Sequence, residues 1–573
     1  MNQIPLTEAR RRRFLLRALP LGVVSIAAFA VGVVVSGSSE EREAVDRFAQ
    51  AWSRGDFVAM QAELSPASQA DYGPDDLEAA YAAAGRTATT TQIAMGETRG
   101  PLDDGGSTVV ALPVDVSTTA FGTVSGEIGI PVSEEGIEWA PNLVFPGLAE
   151  GEKLERKADL PKRAPILAAD RTPLAEGPAT ARTTNGTGGV VTGELDVPDA
   201  ARRREMSALG FPEDAPAGTS GLELAFDPEL AGTPGGELLA EGDGEPRVLA
   251  AKDPVDGEPV RTTIDPKLQD ATVAALGGTY GGAALLDADN GDILALAGLA
   301  FSAPQPPGST FKVITATGAL EDGITKLNEE FPVTSSAVVG GREVANAYDE
   351  LCGGTLVESF AESCNSVFAP LGAELGGEKL VKTAELFGFN SPPALYRAEA
   401  LALVDPPESS IPEQLDDELT VGVTAIGQGE VLATPLEMAS ASQTIANGGV
   451  RSPTSLVRDP ALAGDYPDVT VTTPEVADEL RQMMIEVVAA GTGVAAALPD
   501  VTVAGKTGTA ELGTTSGEAV GDIAPEQDVD AWFTAFAPAG KPKYAVAVMV
   551  VNAPGDGGTV AAPIVRAILD AAL

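Results

Sequence analysis

The chain contains no histidine, only two cysteines, and few aromatic residues, 5% of the total. Without imidazole there is no Ser-His-Asp triad and no histidine-based metal site, so proton transfer must fall to other side chains. Cys352 and Cys364 lie too far apart for a redox Cys-x-x-Cys pair and are too few for a zinc site. Basic residues are scarce: 37 Lys+Arg stand against 83 Asp+Glu, a formal net charge of -46 at pH 7. Phosphate binding needs a basic footprint, so nucleic acid is not expected as a partner. The acidic excess reads as solvated surface. What the chain does have is length and apolar content, 573 residues at 44% hydrophobic, enough for about three to four domains.

Residues 1–17 carry Arg10, Arg11, Arg12, Arg13 and Arg17, and an apolar run fills 18–36. Its length suits a bilayer span, and the basic flank predicts a cytoplasmic tail with the C-terminal bulk outside. An uncleaved single-pass anchor in the cell membrane is expected, with a cleaved signal peptide as the rival. No cysteine follows the run, which rules out a lipoprotein anchor. Residues 39–155 read as an α+β domain. Val45, Phe48, Trp52, Phe57 and Met60 recur at helical spacing with Gly55 as punctuation, and 108–116 and 122–131 alternate as paired strands. Its aromatics, including Trp139, read as core rather than as a binding site. Residues 156–260 are rich in Pro, Gly and charge, yet apolar residues still recur. They read as an extended pedestal that packs, with a hairpin at 164–174 and a helix-turn segment at 221–230. From 261 to 573 the texture is that of a large globular domain. The stretch 282–296 is a hairpin with an Asp-Asn-Gly turn, 530–536 and 544–551 repeat the strand pattern, and 561–573 is a closing helix. Strands at both ends of a helical middle predict one antiparallel sheet flanked by helices, plus an all-helical lobe.

Three short segments in that domain carry chemistry. Pro307-Gly308-Ser309-Thr310-Phe311-Lys312 heads the apolar run Val313 to Leu320. A helix starting near Ser309 puts residues i and i+3 on one face, which predicts the Ser309 hydroxyl within hydrogen-bond reach of the Lys312 amine. A serine hydroxyl is a poor nucleophile until something takes its proton; a lysine whose pKa is depressed by burial can do so. Ser363-Cys364-Asn365 follows an apolar helix at 355–361 and offers a hydroxyl and an amide from one loop. Gly505-Lys506-Thr507-Gly508-Thr509 interrupts a strand expected from Val501 onward. Its glycines allow close backbone approach of a ligand, and Lys506 adds a fixed positive charge. Together the segments supply a nucleophile, a base, a proton relay, an anion anchor and backbone donors for an oxyanion hole.

On these residues the chain resembles the penicillin-recognising serine enzymes. It is more closely similar to the class B penicillin-binding proteins, the monofunctional peptidoglycan D,D-transpeptidases. Pro307 to Lys312, Ser363 to Phe368, Gly427-Gln428-Gly429, Ala446 to Gly449 and Ala504 to Ala510 look like that family's blocks. The resemblance covers 261–573 and, more weakly, the pedestal, which looks like the family's dimerisation-type domain. Residues 40–150 resemble the methicillin-resistance-type (MecA-like) N-terminal domain, a nuclear-transport-factor-2-like α+β fold, on the block Trp139 to Leu148 and the helices before it. The implied fold is multidomain α+β: anchor, N-terminal domain, pedestal and a penicillin-binding/β-lactamase-like transpeptidase domain.

The resemblance also implies roles. Ser309 attacks the penultimate D-Ala carbonyl of a stem peptide ending in D-Ala-D-Ala. Lys312 takes its proton, Ser363 relays a proton to the leaving amine with help from Lys506, and Asn365 holds Lys312. Lys506, Thr507, Gly508 and Thr509 bind substrate, with the backbone N–H groups of Ser309 and Thr509 as the oxyanion hole. No cofactor or metal is implied. β-Lactams are implied as covalent inhibitors, and a glycan polymerase as a membrane partner. Cys364 stands where related β-lactamases carry Asp. In an oxidising compartment it either pairs with Cys352 or stays a buried free thiol. Gly427-Gln428-Gly429 reads either as a family block or as a simple loop. A β-lactamase shares the three motifs, but no Glu-x-x-Leu-Asn lies between Ser363 and Lys506 to activate water. A D,D-carboxypeptidase differs only in using water as acceptor. A non-catalytic scaffold or sensor predicts that Ser309→Ala still complements a deletion.

Overall fold

The computed structural model describes residues 40–104, 107–511 and 529–573. The expected basic tail and membrane span lie outside these residues. Among the described residues, no helix is long and apolar enough to cross a membrane. The described chain falls into two compact units. One comprises 40–81, 93–115 and 125–150, and the other 82–92, 116–124 and 151–573.

In the first unit, helices Glu40–Ser53 and Phe57–Ala62 are separated at Gly55, whose φ of 67° suits glycine. Asp56 caps the second by accepting from the Ala59 N–H. Trp52, Tyr81 and Trp139 are buried together. The Trp52 and Tyr81 rings are 4.7 Å apart, and the Trp139 indole N–H donates to the Tyr81 hydroxyl at 3.3 Å. These aromatics are core, as their spacing predicts. The expected paired strands are Ser107–Thr118 and Gly122–Ser133, neighbours in a five-stranded sheet.

The second unit includes the Pro-, Gly- and charge-rich stretch 156–260. Strands Lys153–Asp159, Gly235–Glu241 and Arg247–Lys252 form a three-stranded sheet. The expected hairpin is Ile166–Leu167 with Pro173–Glu176, and the helix-turn segment is Gly221–Ala225 with Asp227–Ala231. A buried ion network ties these pieces together. Arg163 donates to Glu223 at 2.6 Å and Asp227 at 2.8 Å, Arg182 to Glu223 at 2.7 Å, and Arg202 to Asp227 at 2.9 Å.

The rest of this unit is the sheet and helices that position the site. Helix α1 (Pro266–Leu276) is capped by Asp265 and stopped at Gly277 in the left-handed conformation. Strands β1 (Gly281–Asp287) and β2 (Ile293–Gly298) form the expected hairpin, turned by Asp287 and Asn290 side chains that accept from nearby N–H groups. Helices α2 (Lys312–Glu321), α3 (Leu356–Ala361), α4 (Asn365–Leu375), α5 (Glu418–Ala425), α6 (Pro435–Ala446) and α7 (Pro474–Ala489) fill the middle. Strands β3 (Ala504–Glu511), β4 (Val529–Ala537) and β5 (Tyr544–Val550) and helix α8 (Ala562–Ala572) close the chain.

The sheet order is β2-β1-β5-β4-β3, antiparallel throughout, so strands from the two ends of this domain meet at its centre. Alternation divides its side chains. Leu285, Phe533, Val546 and Val548 pack on one face with Val565 and Ile568 of α8. Leu286, Trp532, Ala545 and Met549 pack on the other with Ile314, Leu436 and Met483. Strand β3 lies at the edge of this sheet, beside the segment that carries Ser309.

Candidate active site

Ser309 lies in a tight 3-10 turn, Gly308–Phe311, and α2 begins only at Lys312. Gly308 has a φ of 53°, and a Cβ there would sit 2.6–2.9 Å from the backbone of Thr509. Only glycine lets the turn press against β3. A Cβ on Gly508 would likewise lie 2.6 Å from the Pro307 carbonyl oxygen. The two motif segments are thus in backbone-to-backbone contact. Thr310 ties the turn down by donating to the Pro307 carbonyl at 2.7 Å, and buried Phe311 packs edge-on against Phe389.

Lys312 is fully buried. Its Nζ donates to the Ser363 carbonyl at 2.6 Å, to Asn365 Oδ1 at 2.7 Å and, more weakly, to Ser363 Oγ at 3.4 Å. The expected hydrogen bond to Ser309 is not among its bonds. The 3-10 turn winds more tightly than an α-helix, and the second motif captures the ammonium instead. Among the described residues the half-buried Ser309 hydroxyl has no hydrogen-bond partner.

Lys506, also fully buried, approaches the same serine from β3. Its Nζ donates to Ser363 Oγ at 2.8 Å and to the Thr507 carbonyl at 3.2 Å. The strand carrying it starts at Ala504 rather than Val501. Each lysine lies over an aromatic ring, Lys312 on Phe368 at 5.7 Å and Lys506 on Phe360 at 5.4 Å. Burial disfavours both ammonium ions. Lys506 is pushed down from 10.5 to about 7 by burial. Lys312 falls well below the ordinary lysine value, by burial first and then by repulsion from Lys506. Ser363 Oγ thus lies within reach of two lysines that both hold their protons less tightly than an ordinary lysine.

Ser363 occupies the link between α3 and α4 with a φ of 64°. This left-handed conformation is disfavoured for a residue with a side chain. The cysteine alternative resolves as a disulfide between Cys352 and Cys364, with Cα atoms 5.5 Å apart. Asn365 accepts from Lys312 through Oδ1 and donates through Nδ2 to the Ala345 carbonyl at 3.0 Å. That pairing fixes its amide orientation.

The third motif adds polar groups along β3. The Thr507 hydroxyl meets that of Thr492 at 2.6 Å, and Thr509 Oγ1 accepts from the Gly557 N–H at 3.4 Å. Ser309, Lys312, Ser363, Asn365, Lys506, Thr507, Gly508 and Thr509 thus share one neighbourhood. The Gly427-Gln428-Gly429 segment belongs to it as well. The Gly308 N–H donates to the Gly427 carbonyl at 2.9 Å, and Gln428 Nε2 donates to the Thr509 carbonyl at 3.3 Å. Thr492 and Phe360 are not singled out by sequence, and Phe368 enters only as the last residue of a family block. Thr492 stands between two glycines just after α7, a faint signal; the phenylalanines look like any apolar helix positions.

Residues 281–570 match the penicillin binding protein transpeptidase domain family. Peptidoglycan D,D-transpeptidase PbpA of Mycobacterium tuberculosis (strain H37Rv) is 34% identical over 416 residues, covering 62% of this chain and 80% of that protein. Stage V sporulation protein D of Bacillus subtilis is 30% identical over 419 residues, covering 63% of this chain and 61% of that one. Among solved structures, a ceftriaxone acyl-enzyme complex of M. tuberculosis penicillin-binding protein A superposes with a TM-score of 0.56 at 29% identity, covering 72% of this chain and 98% of that one. Its sheet, its paired lysines and these matches together make the chain a member of the penicillin-binding protein transpeptidase family, of the class B type.

Proposed function

We propose that this chain is a peptidoglycan D,D-transpeptidase that works through an acyl-enzyme on Ser309 and is trapped there by β-lactams. The observation that carries the mechanism is one serine hydroxyl shared by two buried amines, Ser363 Oγ at 2.8 Å from Lys506 and 3.4 Å from Lys312.

Lys312, whose proton affinity is lowered by burial and by Lys506, takes the Ser309 proton as Oγ attacks the penultimate D-Ala carbonyl. The backbone N–H groups of Ser309 and Thr509 receive the developing oxyanion. The proton passes through Ser363, backed by Lys506, to the departing D-Ala nitrogen, and the C–N bond breaks as the ester remains. The Thr507 and Thr509 hydroxyls hold the substrate carboxylate, with Gly508 leaving room at the strand. Asn365 fixes Lys312 and meets the substrate amide. The amine of a neighbouring stem peptide then attacks the ester, losing its proton back along the same relay, and releases Ser309. A β-lactam ring opens in the first step, but its fragment stays attached and blocks the acceptor.

The 1–17 basic tail and 18–36 apolar run support a single-pass anchor with the catalytic bulk outside the cell membrane. A membrane-embedded glycan polymerase is the partner such an anchor calls for. The helices and five-stranded sheet of residues 40–137 support a MecA-like, nuclear-transport-factor-2-like domain, and residues 156–260 a dimerisation-type pedestal. The test is product analysis with the full chain, a lipid-linked glycan substrate and a polymerase, with and without penicillin. Penicillin-sensitive cross-linked dimers are expected. Release of D-Ala without cross-links would identify a carboxypeptidase instead.

A further inference from the structure

The relay serine sits in an unfavourable backbone conformation, and its neighbours explain how it is kept there. With a φ of 64°, Ser363 turns its carbonyl to Lys312 Nζ at 2.6 Å and its hydroxyl to Lys506 Nζ at 2.8 Å. Both contacts need the left-handed turn, which the chain between two helices would not choose unaided. On the C-terminal side of Ser363, the restraints run to the segment 345–352. Asn365 Nδ2 donates to the Ala345 carbonyl at 3.0 Å, the Ser366 N–H donates to Asn346 Oδ1 at 2.8 Å, and Cys364 is bonded to Cys352. Cys352 is itself seated in the short strand Cys352–Thr355, paired with Glu330–Thr334. Both cysteines are buried, at 6% and 0% exposure, and they are the chain's only two. Of the three restraints, only this bond is covalent, and it acts on the residue directly after Ser363.

We infer that the Cys352–Cys364 disulfide is a positioning element for catalysis, holding Ser363 in the left-handed geometry that lets both lysines share it. The inference rests on the transpeptidase reading of the site. With the bond opened, the two sulfurs remain in an apolar core, so the domain stays folded. The link 362–364 relaxes toward ordinary dihedrals, its carbonyl leaves Lys312, and water reaches the two amines. The charged group that acts on Lys312 is Lys506, and burial is the larger cause for both. Solvation therefore returns them toward ordinary lysine behaviour, and less Lys312 is neutral at a given pH.

The experiment uses the full chain and a fluorescent penicillin. Cys352→Ser opens the bond and leaves Ser363-Cys364-Asn365 intact. In a parallel arm the wild type is treated with dithiothreitol, which takes the bond to two thiols and is itself oxidised to its cyclic disulfide. Alkylation and intact mass count the thiols. Both open forms should still label to the wild-type end point, with the second-order acylation rate lowered by about 100-fold, the effect of an ångström-scale misplacement. The acid limb of their pH–rate profile should move to higher pH, and reoxidation of the reduced wild type should restore both properties. A purely structural bond would reduce the labelled fraction and leave the limb in place, which overturns the inference. So would a wild-type rate and profile in protein with two counted thiols. If Cys352→Ser does not fold, the reduced wild type decides. If the oxidised wild type fails to label, the transpeptidase reading itself falls, which is a distinct result.

Discussion

Gly427→Ala is a one-methyl perturbation at a backbone position packed against Gly308, and it should damage acylation severely. Gly427 has a φ of 76°, and a Cβ there would lie 2.6 Å from the Gly308 carbonyl carbon and 2.9 Å from its nitrogen, with the carbonyl oxygen closer still. The left-handed conformation alone costs an alanine about 1–2 kcal/mol, and overpacking a closed site adds about 1–3 kcal/mol. The backbone that must yield is Gly308, adjacent to Ser309 and held by the Gly427 carbonyl through its own N–H at 2.9 Å. An ångström-scale shift of the nucleophile corresponds to a loss of about 100-fold in rate. Gly448→Ala is the matched control, because Gly448 has a φ of 64° and nothing within 4 Å of the added Cβ. It bears the conformational cost without the collision. Stopped-flow acylation by a fluorescent penicillin, with thermal unfolding alongside, separates the two. Gly427→Ala should lose acylation rate and Gly448→Ala only stability. If Gly427→Ala acylates at the wild-type rate, the close packing of this loop on the nucleophile turn is wrong.

Lys506→Met should move the acid limb of acylation to higher pH, because Lys506 is one of the two causes that hold Lys312 low; an unmoved limb in a pH–rate series would refute that coupling. The same substitution should flatten the pH dependence of stability. Folded Lys506 releases its proton near 7 and the unfolded chain near 10.5, so wild-type stability rises with pH across that window. Glu437→Gln should unfold at a higher temperature than wild type above neutrality and converge with it in acid. The buried Glu437 carboxyl is raised from 4.5 to about 7 by burial, against the pull of Arg451, so the folded state is penalised as pH rises through that range. Scanning calorimetry at several pH values tests the sign. Arg163→Met should destabilise the segment around 221–231 by about 1.5–3 kcal/mol, since it removes the cation shared by buried Glu223 and Asp227 and leaves each with a single arginine, Arg182 and Arg202. Unchanged hydrogen-exchange protection across 221–231 would contradict it.

The three motifs were readable because each is a short run whose chemistry is local. The central sheet was readable for a similar reason. Strands buried on both faces, such as Gly281–Asp287 and Tyr544–Val550, appear as unbroken apolar runs. What escaped depends on contacts between distant residues. The hydrogen bond expected between Ser309 and Lys312 assumed an α-helix through both. Gly308 instead bends the chain into a tighter turn against Thr509, and the Lys312 ammonium goes to a carbonyl 51 residues away. Nothing around Ser363 announces a left-handed serine. The Cys352–Cys364 pairing stayed open because a 12-residue separation allows either state. Gly427-Gln428-Gly429 reads either as a family block or as a simple loop, and neither reading contains the close contact of Gly427 with the backbone of Gly308.

The most direct measurement of the central claim is the site of covalent modification. Full chain treated with penicillin G, digested and mapped by mass spectrometry should carry one adduct, on Ser309. Ser309→Ala should carry none while folding as the wild type does. An adduct on any other residue, or labelling of the Ser309→Ala protein, would contradict an account in which Lys312, Ser363 and Lys506 converge to activate that hydroxyl.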